Sequence, residues 1–377
     1  MKVAFCNDLF RLQENRVLDI SWTKNFPGIS WIFYFSKLVG KKGVQVVTGD
    51  VALSHIQAKY WKPTEVFVMQ ELNATHGQKL IELGAKAFLL TGLESPLYAH
   101  KFYNNLPEIA PKFQHRILFS GIFKTFKSSG GRNYICHFPS YNLQDILPIK
   151  NWGQRKFLVT VAANKYFEKP FPIPFPQYLT EYFDWTKDKI SKWQSPTRSQ
   201  AIKNELHVKR LEAIEFFGSR HLLNLFGADW KDLTRLPRKW QKRLKKILPS
   251  LNPKTCKDKI KTISAYKFTI CFENVSYPGY VTEKIIDCFV AGVIPIYLGA
   301  PDIDKFVPAN SFIDMRKFNS CEKLHHYLNK ITPEEALKII SEGRKFLKTP
   351  KGRLYSYVGM AEFVLELVLK TLAKSPG

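Results

Sequence analysis

Glu273, Asn274, Tyr280, Glu283 and Lys284 lie close together in this sequence, and their types suit one chemistry. A carboxylate can hold ribose hydroxyls, a lysine can neutralise a pyrophosphate, and an amide and a phenol can orient a sugar. Together they would make a nucleotide-sugar site. The plain alternative is a capped surface helix with an exposed Glu–Lys pair, and spacing alone does not separate the two.

The elements that must position these groups flank them. Phe268, Ile270 and Phe272 alternate with Thr269 and Cys271, which predicts a buried or half-buried strand. Pro278 and Gly279 mark a loop. Thr282 stands where an N-cap belongs, and Ile285, Ile286, Phe289 and Val290 share one face of the helix that follows. Gly292 ends that helix as a left-handed residue. Val293 to Leu298 make a second apolar strand. The sum is a βαβ unit with parallel neighbouring strands. Ligands bind such units beyond the carboxyl ends of the strands, and anions favour helix N-termini.

The run Phe272-Glu273-Asn274, Tyr280-Val281-Thr282-Glu283-Lys284, Ala291-Gly292, Pro295 and Gly299-Ala300-Pro301 closely resembles the signature of the α-1,3/4-fucosyltransferases, the family 10 glycosyltransferases. The likeness continues through Phe306 and Pro308 to Ser311-Phe312-Ile313-Asp314. It is strong from Tyr266 to Phe318, faint between Phe157 and Gly227, and only suggestive before that. The resemblance implies an α/β chain of the GT-B class, two facing Rossmann-like domains with parallel sheets. It implies inverting transfer of L-fucose from GDP-fucose to a hydroxyl of an acceptor glycan, in α-1,3 or α-1,4 linkage, with no cofactor and no metal required. Asn274, Tyr280, Glu283 and Lys284 would bind the donor. In the family an arginine near the start of a helix grips the donor phosphates at a nearly constant distance from a later glycine. Laid against Gly227, that arginine is Arg210; Lys209 is the fallback, and an ordinary surface arginine is the plain alternative. A GT-B enzyme using another nucleotide-sugar stays open, as does a non-catalytic member.

A base is also needed. Glu94 follows the apolar run Ala87 to Leu90 and precedes Ser95-Pro96, so it sits just past the carboxyl end of a strand. The segment LLTGLESP is similar to the family's acceptor-domain segment that carries an acidic base, although its surroundings match poorly. Glu94 is therefore the expected base; Glu71 and Asp50 occupy comparable strand-end places.

A length of 377 residues with 45% apolar content suits two globular domains. Expected divisions are 1–152 for the acceptor domain, 153–350 for the GDP-fucose domain, and 351–377 for a C-terminal helix packing across both. Strands are predicted at Val3–Cys6, Val44–Thr48, Glu65–Met69, Lys86–Leu90, Arg116–Ser120, Phe157–Val161 and Leu222–Phe226, and a long helix from Arg198 to Phe217. The Pro- and aromatic-rich stretch within 165–197 reads as an insertion. No apolar run reaches the length of a membrane span. The opening MKVAFCNDLF reads as a first strand rather than a signal peptide. The expectation is a bacterial-type soluble member, cytoplasmic or peripheral at the inner face of a bacterial membrane.

The six cysteines have no Cys-x-x-Cys spacing, so free thiols are expected and zinc is unsupported. A net charge of +25 asks for an acidic partner. RLPRKWQKRLKK predicts a basic amphipathic helix over 235–247, suited to an anionic membrane surface or a lipid-linked glycan acceptor. A solvated basic face and nucleic acid are the rival readings; with no recognisable nucleic-acid module, no nucleic-acid partner is expected. Asp302-Ile303-Asp304 is expected to face solvent, and His325-His326 to be structural. Thr332-Pro333-Glu334-Glu335 reads as a capping box.

Overall fold

The computed structural model describes residues 1–23, 26–126, 130–166, 201–234 and 236–373. The insertion lies largely outside them, as do Arg235 and the start of the expected Arg198–Phe217 helix. The chain divides into two compact units, Met1–Leu143 with Leu347–Gly377, and Gln144–Phe346.

The first unit holds β1 (Lys2–Cys6), β2 (Gln45–Thr48), β3 (Val66–Glu71), β4 (Lys86–Thr91), β5 (His115–Leu118) and β6 (Arg132–Ile135). All pair in parallel, in the order β2-β1-β3-β4-β5-β6. Every residue of β3 is buried, as a parallel strand covered on both faces requires. β6 escaped the sequence reading because its RNYI run has no apolar pattern and lies at the sheet edge.

The second unit holds β7 (Lys156–Val161), β8 (Leu223–Phe226), β9 (Tyr266–Phe272), β10 (Ile294–Leu298) and the short β11 (Ile313–Asp314). Their order is β11-β10-β9-β7-β8, again parallel throughout. Counted within each unit, the first sheet winds 2-1-3-4-5-6 and the second 2-1-3-4-5, both doubly wound orders. Phe268, Ile270 and Phe272 enter a core with Phe217, Leu223 and Trp240. The Glu283–Ala291 helix ends at Gly292, whose φ is 68°. A side chain there would also crowd the Arg344 guanidinium.

Two expected boundaries move. The link 144–155 belongs to the second unit because its polar groups are spent there: Leu147 N donates to Val290 O at 3.1 Å, and Arg155 Nη1 to Gly292 O at 2.6 Å. The C-terminal segment, expected to pack across both domains from residue 351, belongs to the first unit from Leu347. Ser140 N donates to Tyr355 O at 2.9 Å and Tyr357 N to Tyr141 O at 2.9 Å. The Tyr357–Leu372 helix then lies along Trp31–Gly40, with Tyr34 and Tyr357 stacked.

The basic helix runs from Arg238 to Leu251. Trp240, Leu244 and Leu251 are buried in the core beside Phe217 and Leu223. Its apolar face is therefore already occupied, and Lys239, Lys242, Lys245 and Lys246 remain exposed. No helix among the described residues is long and apolar enough to cross a membrane.

Candidate functional site

In the second sheet the winding reverses between β7 and β9, since β8 lies outside β7 and β10 outside β9. Chains leaving these two strands diverge, opening the crevice where doubly wound sheets take ligands. A cavity of about 220 Å³ lies there. The ends of β7 (Thr160 to Ala163) and β9 (Thr269 to Phe272) line it, and Arg210, Asn274, Glu283 and Lys284 meet in it. Four of the five expected donor residues thus share one cavity. Tyr280 does not line it; its side chain is buried beside the loop.

Each side chain is held by its neighbours. Glu273, fully buried at the end of β9, accepts from Thr282 N at 2.9 Å and from Lys284 Nζ at 2.9 Å. It also takes the Thr282 hydroxyl at 2.7 Å, so Thr282 stands at the N-cap position without capping through its side chain. A buried carboxylate is the stronger acceptor, and it claims the hydroxyl. Arg210 Nη2 donates to Phe272 O at 2.7 Å, Glu273 O at 3.0 Å and Asn274 Oδ1 at 3.3 Å.

Arg210 reaches this place because its helix starts later than expected, at His207. Residues 204–206 pair with 274–276 instead of continuing a helix: Leu206 N donates to Asn274 O at 3.0 Å and Ser276 N to Asn204 O at 2.8 Å. Arg210 then falls in the first turn. Lys209 points elsewhere, pairing with Glu212 at 2.9 Å on an exposed face.

Glu283 is flanked by two ammonium groups, Lys284 at 3.5 Å and Lys259 at 3.8 Å. Burial opposes its ionisation, but Lys284 and Lys259 outweigh that and hold the carboxyl down to about 2. Burial also works against the Lys284 charge, and Glu273 with Glu283 overcomes it, holding the ammonium above its ordinary range. Lys259 pairs with the buried Asp287 at 2.6 Å. Burial pushes Asp287 up to about 6 against the pull of Lys259. Lys165, Arg210, Lys259 and Lys284 line the cavity against Glu283, with Glu273 and Asp287 buried beneath Lys284 and Lys259, so the lining itself is net cationic.

Lys259 and Asp287 were not among the expected site residues. In sequence Lys259 is one of four closely spaced lysines, with Lys254, Lys257 and Lys261, and that spacing does not single it out. The available signal was Asp258, whose side chain accepts from Lys261 N at 3.0 Å and starts a helix with Lys259 at its first position.

In the first unit the winding reverses between β1 and β3. A cavity of about 660 Å³ lies there, lined by residues at and beyond the ends of β1, β3 and β4, including Asp8, Glu71 and Glu94. Glu94 is exposed, and its Oε1 accepts from Ser95 N at 2.7 Å. Glu71 is buried; it accepts from Leu93 N at 3.2 Å and from the Thr91 hydroxyl, fixing the turn that carries Glu94. Burial pushes the Glu71 carboxyl up to about 7 despite these two bonds, and the Glu94 charge adds to the rise. Asp50 is not in this lining and accepts from Glu14 N at 2.9 Å.

Asp302 is not simply solvent-facing, since it accepts from Gly279 N at 2.8 Å and ties down the loop before Tyr280. His325 packs edge-on against Phe157 and Phe217. The capping box forms reciprocally, with Thr332 N on Glu335 at 2.9 Å and Glu335 N on Thr332 at 3.2 Å. Among the described residues no group of three or more His, Cys, Asp or Glu side chains is arranged to hold a metal ion. The cysteines are free thiols, as expected.

Two parallel doubly wound units, with a cationic cavity at the switch point of the second, define a GT-B fold. Solved structures agree. The chain aligns over 100% of its length with 91% of an alpha1,3-fucosyltransferase at TM-score 0.50 and 17% identity. It aligns over 99% with 98% of a glycosyltransferase from Rickettsia africae at TM-score 0.54 and 11% identity. Residues 240–338 match the family model of glycosyltransferase family 10 (fucosyltransferase) C-term. The chain is 31% identical over 119 residues to the alpha-(1,3)-fucosyltransferase FucT of Helicobacter pylori, covering 32% of this chain and 25% of the relative. It is 37% identical over 83 residues to human 4-galactosyl-N-acetylglucosaminide 3-alpha-L-fucosyltransferase 9, covering 22% and 23%. The match thus spans about a quarter of these curated relatives.

Proposed function

We propose that this protein transfers L-fucose from GDP-fucose to a hydroxyl of an acceptor glycan, with inversion, in α-1,3 or α-1,4 linkage. One observation carries the reading: Arg210, more than sixty residues away in sequence, joins Asn274, Glu283 and Lys284 in lining one cationic cavity at the switch point of the second sheet. A nucleoside diphosphate carries the charge such a cavity complements. In this reading Lys284 and Arg210 stabilise the departing GDP. Glu283, held ionised by its two lysines, accepts from the ribose hydroxyls, and Asn274 faces the sugar and phosphate. Tyr280 supports the loop from behind.

The second unit is the donor domain and the first the acceptor domain. Glu94 takes the proton of the acceptor hydroxyl as that oxygen attacks the anomeric carbon. The carbon–oxygen bond to the GDP phosphate breaks as the new one forms. The acceptor is a glycan, in one form lipid-linked. The exposed lysines of the Arg238–Leu251 helix would hold the protein against an anionic surface by charge alone, at the inner face of a bacterial membrane.

Calorimetric titration with GDP-fucose, GDP-mannose and UDP-galactose, without added metal, tests the donor. Binding of GDP-fucose with at least tenfold preference is expected, weakened in Arg210→Ala. Preference for another nucleotide-sugar would overturn the stated function and leave the fold intact.

A further inference from the structure

The cavity contains more cationic machinery than the proposed roles use. Lys284 and Lys259 are built alike: each ammonium rests on a buried carboxylate, Glu273 at 2.9 Å for the first and Asp287 at 2.6 Å for the second. Glu283 lies between them and touches both. Yet the Lys259 side chain is still one-third exposed and lines the cavity, so its charge is not consumed by Asp287. A buried ion pair contributes little net stability, because desolvating two charges offsets most of their attraction. Placing Asp287 beneath Lys259 is therefore poorly explained as a stabilising device.

A second, independent feature points to a ligand. Thr269 is buried in β9 and lines the same cavity, and its hydroxyl has no hydrogen-bond partner among the described residues. An unsatisfied buried hydroxyl is costly unless something occupies the space before it.

We propose that Lys259 is a further binding residue for the donor, meeting the diphosphate together with Lys284 and Arg210, and that Asp287 is the positioning residue that holds it there. The inference rests on the nucleotide-sugar reading of this cavity. It makes the diphosphate site a set of three cations instead of two, one of them supplied by the Lys259–Ile263 helix before β9.

The test is calorimetric titration of GDP and of guanosine into the full chain. Lys259→Met alone leaves the Asp287 carboxylate buried and unpaired, which could unfold the protein. The double variant K259M/D287N removes both charges and is measured beside it, with Asp287→Asn alone. A lost charge-assisted bond predicts GDP affinity about 10- to 100-fold weaker in the double variant, with guanosine binding unchanged. Asp287→Asn should weaken GDP binding in the presence of Lys259 and add nothing in its absence, a coupling that a merely structural carboxylate would not produce. GDP affinity within threefold of the unmodified chain in K259M/D287N overturns the proposal, and so does an equal loss for guanosine. Failure of the unmodified chain to bind GDP overturns the donor reading itself, which separates the two.

Discussion

At the residue scale, Glu273 and Lys284 show how one pair can serve both stability and binding. Glu273 is fully buried, and its carboxylate pairs with the Lys284 ammonium at 2.9 Å. Lys284→Ala should reduce GDP affinity about 100-fold. It should also destabilise the second unit by about 3 kcal/mol, since it strands a buried carboxylate; calorimetric titration and chemical denaturation read the two effects separately. Glu71 offers a test by pH. Its folded pKa lies near 7, above the ordinary 4.5, so the folded state holds its proton more tightly. The contribution is fully present below pH 4.5 and is lost as pH rises through 7. Glu71→Gln keeps an acceptor for Leu93 N and removes the titration. The variant should therefore gain up to about 3 kcal/mol on the native protein at pH 8, with a flatter stability profile between pH 4.5 and 7. Equal pH dependence in the two proteins would refute it.

At the element scale, the Arg238–Leu251 helix shows what amphipathicity alone leaves undecided. Trp240, Leu244 and the lysines specify an apolar and a basic face, but not what covers the apolar one. Here the protein's own core covers it. Leu244→Ala should destabilise the second unit by roughly 2–5 kcal/mol in denaturant titration. Reversing Lys242 and Lys246 to glutamate should leave the melting temperature within a few degrees and weaken sedimentation with anionic vesicles, an effect that disappears at high salt. The Arg198–Phe217 segment teaches the converse. Its composition favours one long helix, and backbone pairing of 204–206 with 274–276 overrides that preference. Propensity differences are fractions of a kcal/mol per residue, too small to resist tertiary hydrogen bonding.

At the scale of the whole molecule, the last segment completes the first unit. Tyr357–Leu372 buries Met360, Val364 and Leu367, and lies on Trp31–Gly40. Ending the chain at Phe346 should strip that cover and lower the thermal stability of the first unit. GDP binding by the second unit should persist; calorimetry with and without GDP separates the two.

The sequence by itself determined the βαβ unit from Tyr266 to Leu298, because its alternation, its left-handed stop at Gly292 and its apolar runs are all local. It determined the identities of the cavity residues near β9, because they stand within one loop and one helix turn. Most strand positions before β9 were legible for the same reason, whereas β6 carried no apolar pattern. Strand order was not legible. Only the tertiary structure placed β7 beside β9, reversed the winding there, and so opened a cavity that joins Arg210 to Lys284. Lys259 and Asp287 belong to the same lesson. In sequence one is a lysine in a basic run and the other a helical aspartate; their pairing at 2.6 Å exists only because two helices meet over the sheet. Local pattern sets which elements form, while long-range packing decides which charges face each other.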